Sequence, residues 1–414
     1  MDRFLLLGNR SIQHSLAARL KSEGSEVHVF PGQNFGGYEI TVDPDVDNYD
    51  CIVVGSSRYF SDALVQKALK SRACGVFGVD GRAGLLESSK SFFADFALEN
   101  NIRAPESRAF MDFQEALDFV RSHEPPYVIK ANGPARGCGV AILSNITEAQ
   151  EDLHRKLVDK QSPYFSGGVT IEQYVHGFEV AVNVLIDDRS FVILPPTKPY
   201  KRRNDNDVGP NTAGMGSVSP VSLNADFYRE LENGIIMPTM KAIRSKEWYF
   251  RGCLFMNLML NDEGIHVLEF NCRMGDPAML VNIELLESSL TDLLLLVAQS
   301  RLSEATVIFK NGFALATTIV SARYPDAMDE AGPFVLPVTD PKSRLFIAGL
   351  HSTQGGLFSN NGVIGCAVAY DISLEVAKSR SLGLARAFMS SHPTVSLHMR
   401  SDIGDSIEVP RRFF

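Results

Sequence analysis

The sequence has little of what marks a cross-linked, membrane-spanning or polyanion-binding chain. Its six cysteines, Cys51, Cys74, Cys138, Cys253, Cys272 and Cys366, are scattered without paired spacing. That pattern offers neither a disulfide framework nor a zinc site, and it fits a reducing cytoplasm. No apolar run approaches the length that crosses a bilayer, and the longest leucine-rich stretch, Leu293 to Ala298, reads as a buried helix. The start, Met1-Asp2-Arg3 with a short apolar run and a glycine, lacks the long apolar core of a secretory signal. Positive charge is in deficit, 40 Lys and Arg against 49 Asp and Glu, for a net charge of -9. Neither nucleic acid nor a membrane surface is the expected partner of such a chain, and a bound phosphate should be small and locally held. Internal repeats and low-complexity segments are absent.

What is present is an ordinary globular composition: 414 residues, 45% hydrophobic and 21% charged. That length predicts two to four domains. The first part alternates strand and helix: Phe4-Leu-Leu-Leu-Gly8, apolar residues at helical spacing from Ser15 to Ser22, then strands at Glu26 to Phe30 and Cys51 to Gly55. Alternation of this kind predicts a parallel sheet with ligand contacts at its carboxyl edge. We place this α/β domain at residues 1–103, a mixed central domain at 104–310 and a small mixed α/β domain at 311–414. The last is read from strands at Ala314 to Val320, Leu345 to Ala348 and Gly365 to Ala369 and a helix at Leu374 to Ser390.

The most informative stretch is Val267-Leu-Glu269-Phe-Asn271-Cys-Arg273. In a strand, side chains alternate faces, so Glu269, Asn271 and Arg273 share one face. A carboxylate and an amide oxygen two residues apart, followed by an arginine, can hold a hard cation and brace the phosphates it bridges. An edge strand with a solvated polar face is the plainer alternative. A second element, Pro126-Tyr-Val-Ile-Lys130-Ala-Asn-Gly133, puts one lysine in an apolar strand that runs into Gly133, Gly137 and Gly139. A buried ammonium needs an anionic partner, and glycines let a backbone close over a polyphosphate. An ordinary surface turn accounts for the glycines equally well. Val169 to Val175 and Gly177 to Val182 read as a strand, a bend and a strand. The run Lys201 to Gly216, basic, then acidic, then glycine-rich, reads as a mobile lid over anionic ligands or as a solvated loop.

Taken in order, these stretches, with Phe77-Gly78, Leu86-Glu87-Ser-Ser-Lys90, Gly209-Pro-Asn-Thr-Ala-Gly-Met-Gly216, Gly275-Asp276-Pro277 and Arg400-Ser-Asp-Ile-Gly404, resemble the phosphoribosylamine–glycine ligase family of ATP-grasp enzymes over nearly the whole chain. The resemblance implies an ATP-dependent carboxylate–amine ligase that proceeds through an acyl phosphate, with ATP and magnesium or manganese as cofactors. It implies contacts to the ATP phosphates from Lys90 and Lys130, to adenine from Glu172 and the Val175 backbone, and to ribose from Glu179, with the metal on Glu269 and Asn271. Catalysis is assigned to Arg273, Lys130 and Asp276, and substrate contacts to His14, Lys201, Asn211, Gly214 and Asp276. The partners implied are a small amino acid and an amine, in a monomer or homodimer.

Several positions depart from the family. Its Gly-Gly-Arg-Glu-His is here Arg10-Ser-Ile-Gln-His14, its Gly-Pro-Glu is Gly55-Ser56-Ser57, and its Gly-Asp-Pro-Glu ends in Ala278. Its Asn-Gly-Gly-Arg is Asn360-Asn361-Gly362-Val363, and Cys138 replaces a lysine. Most of these changes fall in segments used for the amino acid and the phosphorylated sugar amine, so the expectation is an altered amine acceptor. The genuine phosphoribosylamine–glycine ligase and an inactive nucleotide-binding subunit stand as alternatives. Cys138 as a nucleophile has no histidine near it in sequence, and a small buried or loop cysteine is the simpler reading.

Overall fold

The computed structural model describes residues 1–30, 39–40, 44–71, 73–133, 139–162, 164–327, 330–335, 342–353, 355–359, 362–405 and 409–414. Strands Gly75–Val79, Cys51–Val54, Arg3–Leu7 and Glu26–Phe30 lie side by side in that order and run parallel. All but Glu26–Phe30, which alternates, are almost continuously apolar because helices such as Ser11–Ser22 and Leu290–Ala298 cover the sheet. The leucine-rich run is thus the buried helix that the sequence predicts.

The parallel sheet does not end at Val79. Gly75–Val79 pairs antiparallel with Phe250–Asn261, Val79 opposite Phe250, and that strand pairs onward with Phe178–Ile186 and Gly264–Asn271. Nine strands form one sheet. A Cβ at Gly252 would lie 3.1 Å from the Gly78 nitrogen, so paired glycines let the two backbones meet at the junction.

A separate antiparallel sheet of Ser107–Phe110, Val169–Glu172, Tyr127–Ala131 and Val140–Leu143 stands across from it. Helices Phe113–Arg121 and Ile146–Leu157 pack with it around Phe110, Leu117, Val120, Ile129, Leu153 and Ile171. Lys156 is buried in this unit, ion-paired to Asp152, and donates to the Ile129 carbonyl at 3.0 Å. Removing the carboxylate would strand a buried ammonium. Asp152→Ala should therefore cost about 3–5 kcal/mol, read as a lower urea midpoint in which this unit's signal is lost first. An unchanged midpoint would sink the expectation.

The third sheet orders Lys198–Asn204, Val208–Ser219, Phe313–Ser321, Val363–Asp371 and Ser343–Ile347, with helix Leu374–Ser390 against it. The run read from sequence as a mobile lid or solvated loop is a paired hairpin within this sheet. Gly216 to Ser219 pair with Thr317 to Ala314. Its turn is tied down by the buried Arg400, which pairs with Asp207 and Asp402 at 2.6 Å each and lies 5.0 Å from the Tyr200 ring centroid. The polar composition of the hairpin reflects one face turned to a cavity. Among the described residues, no helix is long and apolar enough to cross a membrane.

Candidate functional site

Residues from these three sheets line one cavity of about 990 Å³. One wall is the strand Gly264–Asn271. Its register against Phe250–Asn261 slips between Asn257 and Leu258, and a bulge of this kind re-aims the chain. The Leu268 carbonyl thereby accepts the Lys130 ammonium at 2.9 Å. Glu269 accepts from the Asn257 amide at 2.7 Å and pairs with Lys90 at 2.8 Å. Asn271 Oδ1 accepts from Arg273 at 3.2 Å, and Arg273 is in turn held by Glu87 at 3.0 Å. Glu269, Asn271 and Arg273 thus gather on one side, as strand alternation predicts, while Phe270 and Cys272 enter the core.

On the facing wall Lys130 pairs with Glu172 at 2.5 Å, while Glu179, on the same nine-stranded sheet as Glu269, pairs with Lys201 of the third sheet at 2.5 Å. Glu172 and Glu179 lie on strands of different sheets, so the stretch read as strand, bend and strand is not a hairpin: the bend crosses the crevice. A Cβ at Gly177 would run into the Leu260 carbonyl, which fixes glycine at that crossing.

Four cations, Lys90, Lys130, Lys201 and Arg273, therefore each meet a carboxylate. Burial alone would raise the Glu269 carboxyl, but the charges of Lys90, Lys201 and Lys130 outweigh it and hold the group well below the usual carboxylate range. Burial opposes the charge on Lys90 and on Lys201, and Glu269 and Glu179 respectively overcome it, so both ammoniums are raised above their ordinary values. A cavity with balanced fixed charges is stable when empty and offers rearrangeable partners to a polyanion and its cation.

The donor set fits a magnesium ion shared with phosphates. Glu269 and Asn271 supply hard oxygens, and Asn257 Oδ1 beside them is a buried acceptor without a donor among the described residues. Among the described residues, no group of three or more His, Cys, Asp or Glu gathers to hold a metal alone. The remaining ligand positions then fall to phosphate oxygens and water.

Lys90, Lys130, Gly133, Gly139, Glu172, Val175 and Glu179 all line this cavity, as do Lys201, Asn211, Gly214, Glu269, Asn271, Arg273 and Asp276. Gly137 and Cys138 lie outside the described residues. His14, read as a substrate contact, is not among the lining residues. It is buried on helix Ser11–Ser22 with Nε2 3.3 Å from Asn9 Oδ1. The helical turn points it behind the wall that Asn9 and Arg10 form. Burial pushes its pKa down from 6.5 to about 4. A neutral folded histidine that charges on unfolding contributes stability above pH 6.5, lost as pH falls toward 4. The loss is on the order of 3 kcal/mol, and a His14→Asn variant should show a correspondingly flatter acid limb in thermal melts between those limits.

The structure also adds residues that the sequence left unassigned. Glu87 reaches Arg273 and the Cys272 amide across 185 residues of chain, and Asn257 reaches Glu269. Only the motif around Lys90 hinted at Glu87. Nothing in the sequence marked Asn257.

Comparison with known proteins places these features. Residues 88–279 match the model of the phosphoribosylglycinamide synthetase ATP-grasp (A) domain. The chain is 27% identical over 421 residues to a phosphoribosylamine–glycine ligase of Clostridium acetobutylicum, spanning 98% of this chain and 100% of that one. It is 29% identical over 391 residues to that of Thermotoga maritima, spanning 92% and 95%. The crystal structure of a phosphoribosylamine–glycine ligase from Thermotoga maritima matches with a TM-score of 0.81 and 28% identity, over 97% of this chain and 100% of that one. A biotin carboxylase domain of Hydrogenobacter thermophilus 2-oxoglutarate carboxylase, in complex with ADP and magnesium, shares the fold alone, with a TM-score of 0.66 and 14% identity over 95% of this chain and 90% of that one.

Proposed function

We propose that this chain, which belongs to the phosphoribosylamine–glycine ligase family of ATP-grasp enzymes, joins glycine to the amine of phosphoribosylamine. It is an ATP-grasp ligase that forms a C–N bond, with ATP and magnesium as cofactors and ADP and phosphate as products. The observation that carries the finer reading is full-length similarity to phosphoribosylamine–glycine ligases, together with one cavity that holds the paired cations and carboxylates.

In this reading a carboxylate oxygen of glycine attacks the terminal phosphorus of ATP, and the bond to the ADP oxygen breaks. The amine nitrogen then attacks the acyl carbon, the C–O bond to phosphate breaks, and the nitrogen gives up a proton. A magnesium ion held by Glu269 and Asn271 would supply neutralisation of phosphate charge. Lys130 and Lys90 exchange their carboxylate partners for phosphate oxygens, and Arg273 faces the moving phosphoryl group. Glu172 and Glu179, released from their lysines, become acceptors for the adenine amine and ribose hydroxyls. Such catalysis rests on placement and preorganised charge.

A second reading, ligation to a different amine, is favoured by one feature of the amino-terminal edge. Where the family has an arginine and a glutamate, Ile12 is buried in the core and the Gln13 amide packs between Gly8 and Gly55. The cavity there is lined by Arg10, Gln13, Ser57 and Arg58. The deciding measurement is magnesium-dependent phosphate release with glycine and freshly generated phosphoribosylamine, beside a panel of amino acids paired with simple amines. Glycinamide ribonucleotide at a sustained rate supports the first reading. Turnover confined to another pair overturns it in favour of the second.

A further inference from the structure

Five successive residues near the carboxyl end, Arg400-Ser-Asp-Ile-Gly404, all close on one hairpin, and the chemistry above uses none of them. The buried Arg400 donates to Asp207 Oδ1 at 2.6 Å and to the Arg202 carbonyl at 3.0 Å. The Ser401 amide donates to Asp205 Oδ1 at 2.8 Å, and Asp402 Oδ2 accepts from the Asn206 amide at 2.9 Å. Ile403 fills the space over Gly216, where a Cβ would come within 2.7 Å of its Cδ1. The Gly404 amide donates to the Tyr200 hydroxyl at 2.9 Å. Asp402 also accepts two bonds from Arg400, at 2.8 and 2.6 Å, so the guanidinium reaches the hairpin already oriented.

The turn they close on is strained. Asn206 and Asp207 have φ of 59° and 52°, a left-handed conformation that is costly for a residue with a Cβ and persists only where the surroundings enforce it. The rest of the hairpin faces the nucleotide cavity. Lys201 pairs there with Glu179 at 2.5 Å. Asn211 Nδ2 donates to the Val140 carbonyl at 3.2 Å, at the start of the strand Val140–Leu143, and so joins the third sheet to the four-stranded sheet that carries Lys130 and Glu172. Thr212 Oγ1 donates to the Lys201 carbonyl at 2.8 Å and ties the two strands of the hairpin together, so a shift of the turn moves both contacts.

We infer that Arg400, oriented by Asp402, is a positioning residue of the nucleotide site: through the turn at Asn206 and Asp207 it sets the hairpin that holds Lys201 at Glu179 and latches the four-stranded sheet at Val140. The inference rests on ATP occupying the cavity and is independent of which amine is joined. Lysine cannot take the place of Arg400. One ammonium cannot hold both oxygens of Asp402 in parallel bonds and still reach Asp207 and the Arg202 carbonyl, as the planar fork does.

The test uses full-length wild type, Arg400→Lys, Asn211→Ala and the double variant. Two quantities are read: the affinity for magnesium ADP by calorimetric titration, and amide hydrogen exchange of the strand Val140–Leu143 with and without magnesium ADP. R400K should weaken magnesium ADP about tenfold and N211A about fivefold. The double variant should be weakened only about tenfold, where independent sites would give about fiftyfold, because both residues act through one hairpin. Magnesium ADP should slow exchange across Val140–Leu143 in wild type and fail to do so in R400K, although no hydrogen bond or ion pair joins Arg400 to that sheet among the described residues. A residue that only stabilised the fold would lower the melting temperature and leave this protection intact. If R400K does not fold, Asp207→Asn takes its place, since Asp207 is exposed and Asp402 still holds Arg400. Losses that multiply in the double variant, or normal protection in R400K, overturn the inference. Wild type that binds no magnesium ADP overturns the nucleotide reading of the cavity itself.

Discussion

Glu269→Gln should abolish most magnesium-dependent ATP turnover, by about a thousandfold or more, while leaving the protein folded. A metal that neutralises phosphate charge is worth several kcal/mol in the transition state, and each 1.36 kcal/mol is about a factor of ten in rate. The carboxylate is also the hub of the local charge balance: it pairs with Lys90, and Lys201 and Lys130 act on it as well. The substitution leaves one buried positive charge uncompensated, so stability should fall by about 3 kcal/mol. Adding Lys90→Met should recover that stability without recovering activity. The double variant isolates the stability role alone, because Lys90 is itself proposed to contact the phosphates; the metal role is read from the magnesium dependence of the single variant. The pH dependence follows from the sign of the shift. Because the folded carboxyl titrates well below the usual range, its stabilisation is fully present above the ordinary carboxylate pKa and is lost only as pH falls through the depressed folded value. Turnover at wild-type magnesium dependence in E269Q would remove Glu269 from the metal site.

How much of this was legible beforehand differs between levels of structure. The inner parallel strands were readable because burial on both faces makes them almost continuously apolar, and the helix Leu374–Ser390 because its spacing is unbroken. Glu269, Asn271 and Arg273 were readable as one face because alternation is a local rule that holds wherever a strand forms. What local rules do not carry is which sheet a strand joins. Glu172 and Glu179 sit seven residues apart yet on different sheets, and only the closed structure shows the bend as the edge of a cavity. The hairpin around Asp207 looked like free loop because Lys201, Arg202, Asp207 and Asn211 face the cavity, and its anchor, Arg400, lies 193 residues away. His14 was misplaced for a related reason: a motif position gives the residue but not the side of the helix on which it falls. The buried amides Asn183, Asn257 and Asn282 carry no sequence signal, since an isolated asparagine in a strand or helix is ordinary composition.

The same long-range pairing sets the outcome at Lys130. Its ammonium is held between Glu172, at 2.5 Å, and the Leu268 carbonyl, at 2.9 Å, with the side chain 7% exposed. Both contacts place it at the cavity between the facing walls, where the proposed function puts the phosphates of ATP. Lys130→Met should lower kcat/KM for ATP by about three orders of magnitude, the size associated with losing one preorganised donor at developing charge. Most of the loss should appear in kcat if the contact tightens on the moving phosphoryl group, and in KM if it holds the ground-state phosphates equally. Lys130→Arg should not rescue it, because a planar fork set for bidentate contacts replaces a compact charge that must reach a backbone carbonyl and a carboxylate in one narrow slot. Glu172→Gln supplies the control. It removes the partner of Lys130 in the empty protein while keeping an acceptor for the adenine amine, so it should lower stability more than ATP affinity. A K130M protein that keeps wild-type ATP kinetics would mean that the phosphates lie elsewhere in the cavity, and Lys90 would then be the residue to examine.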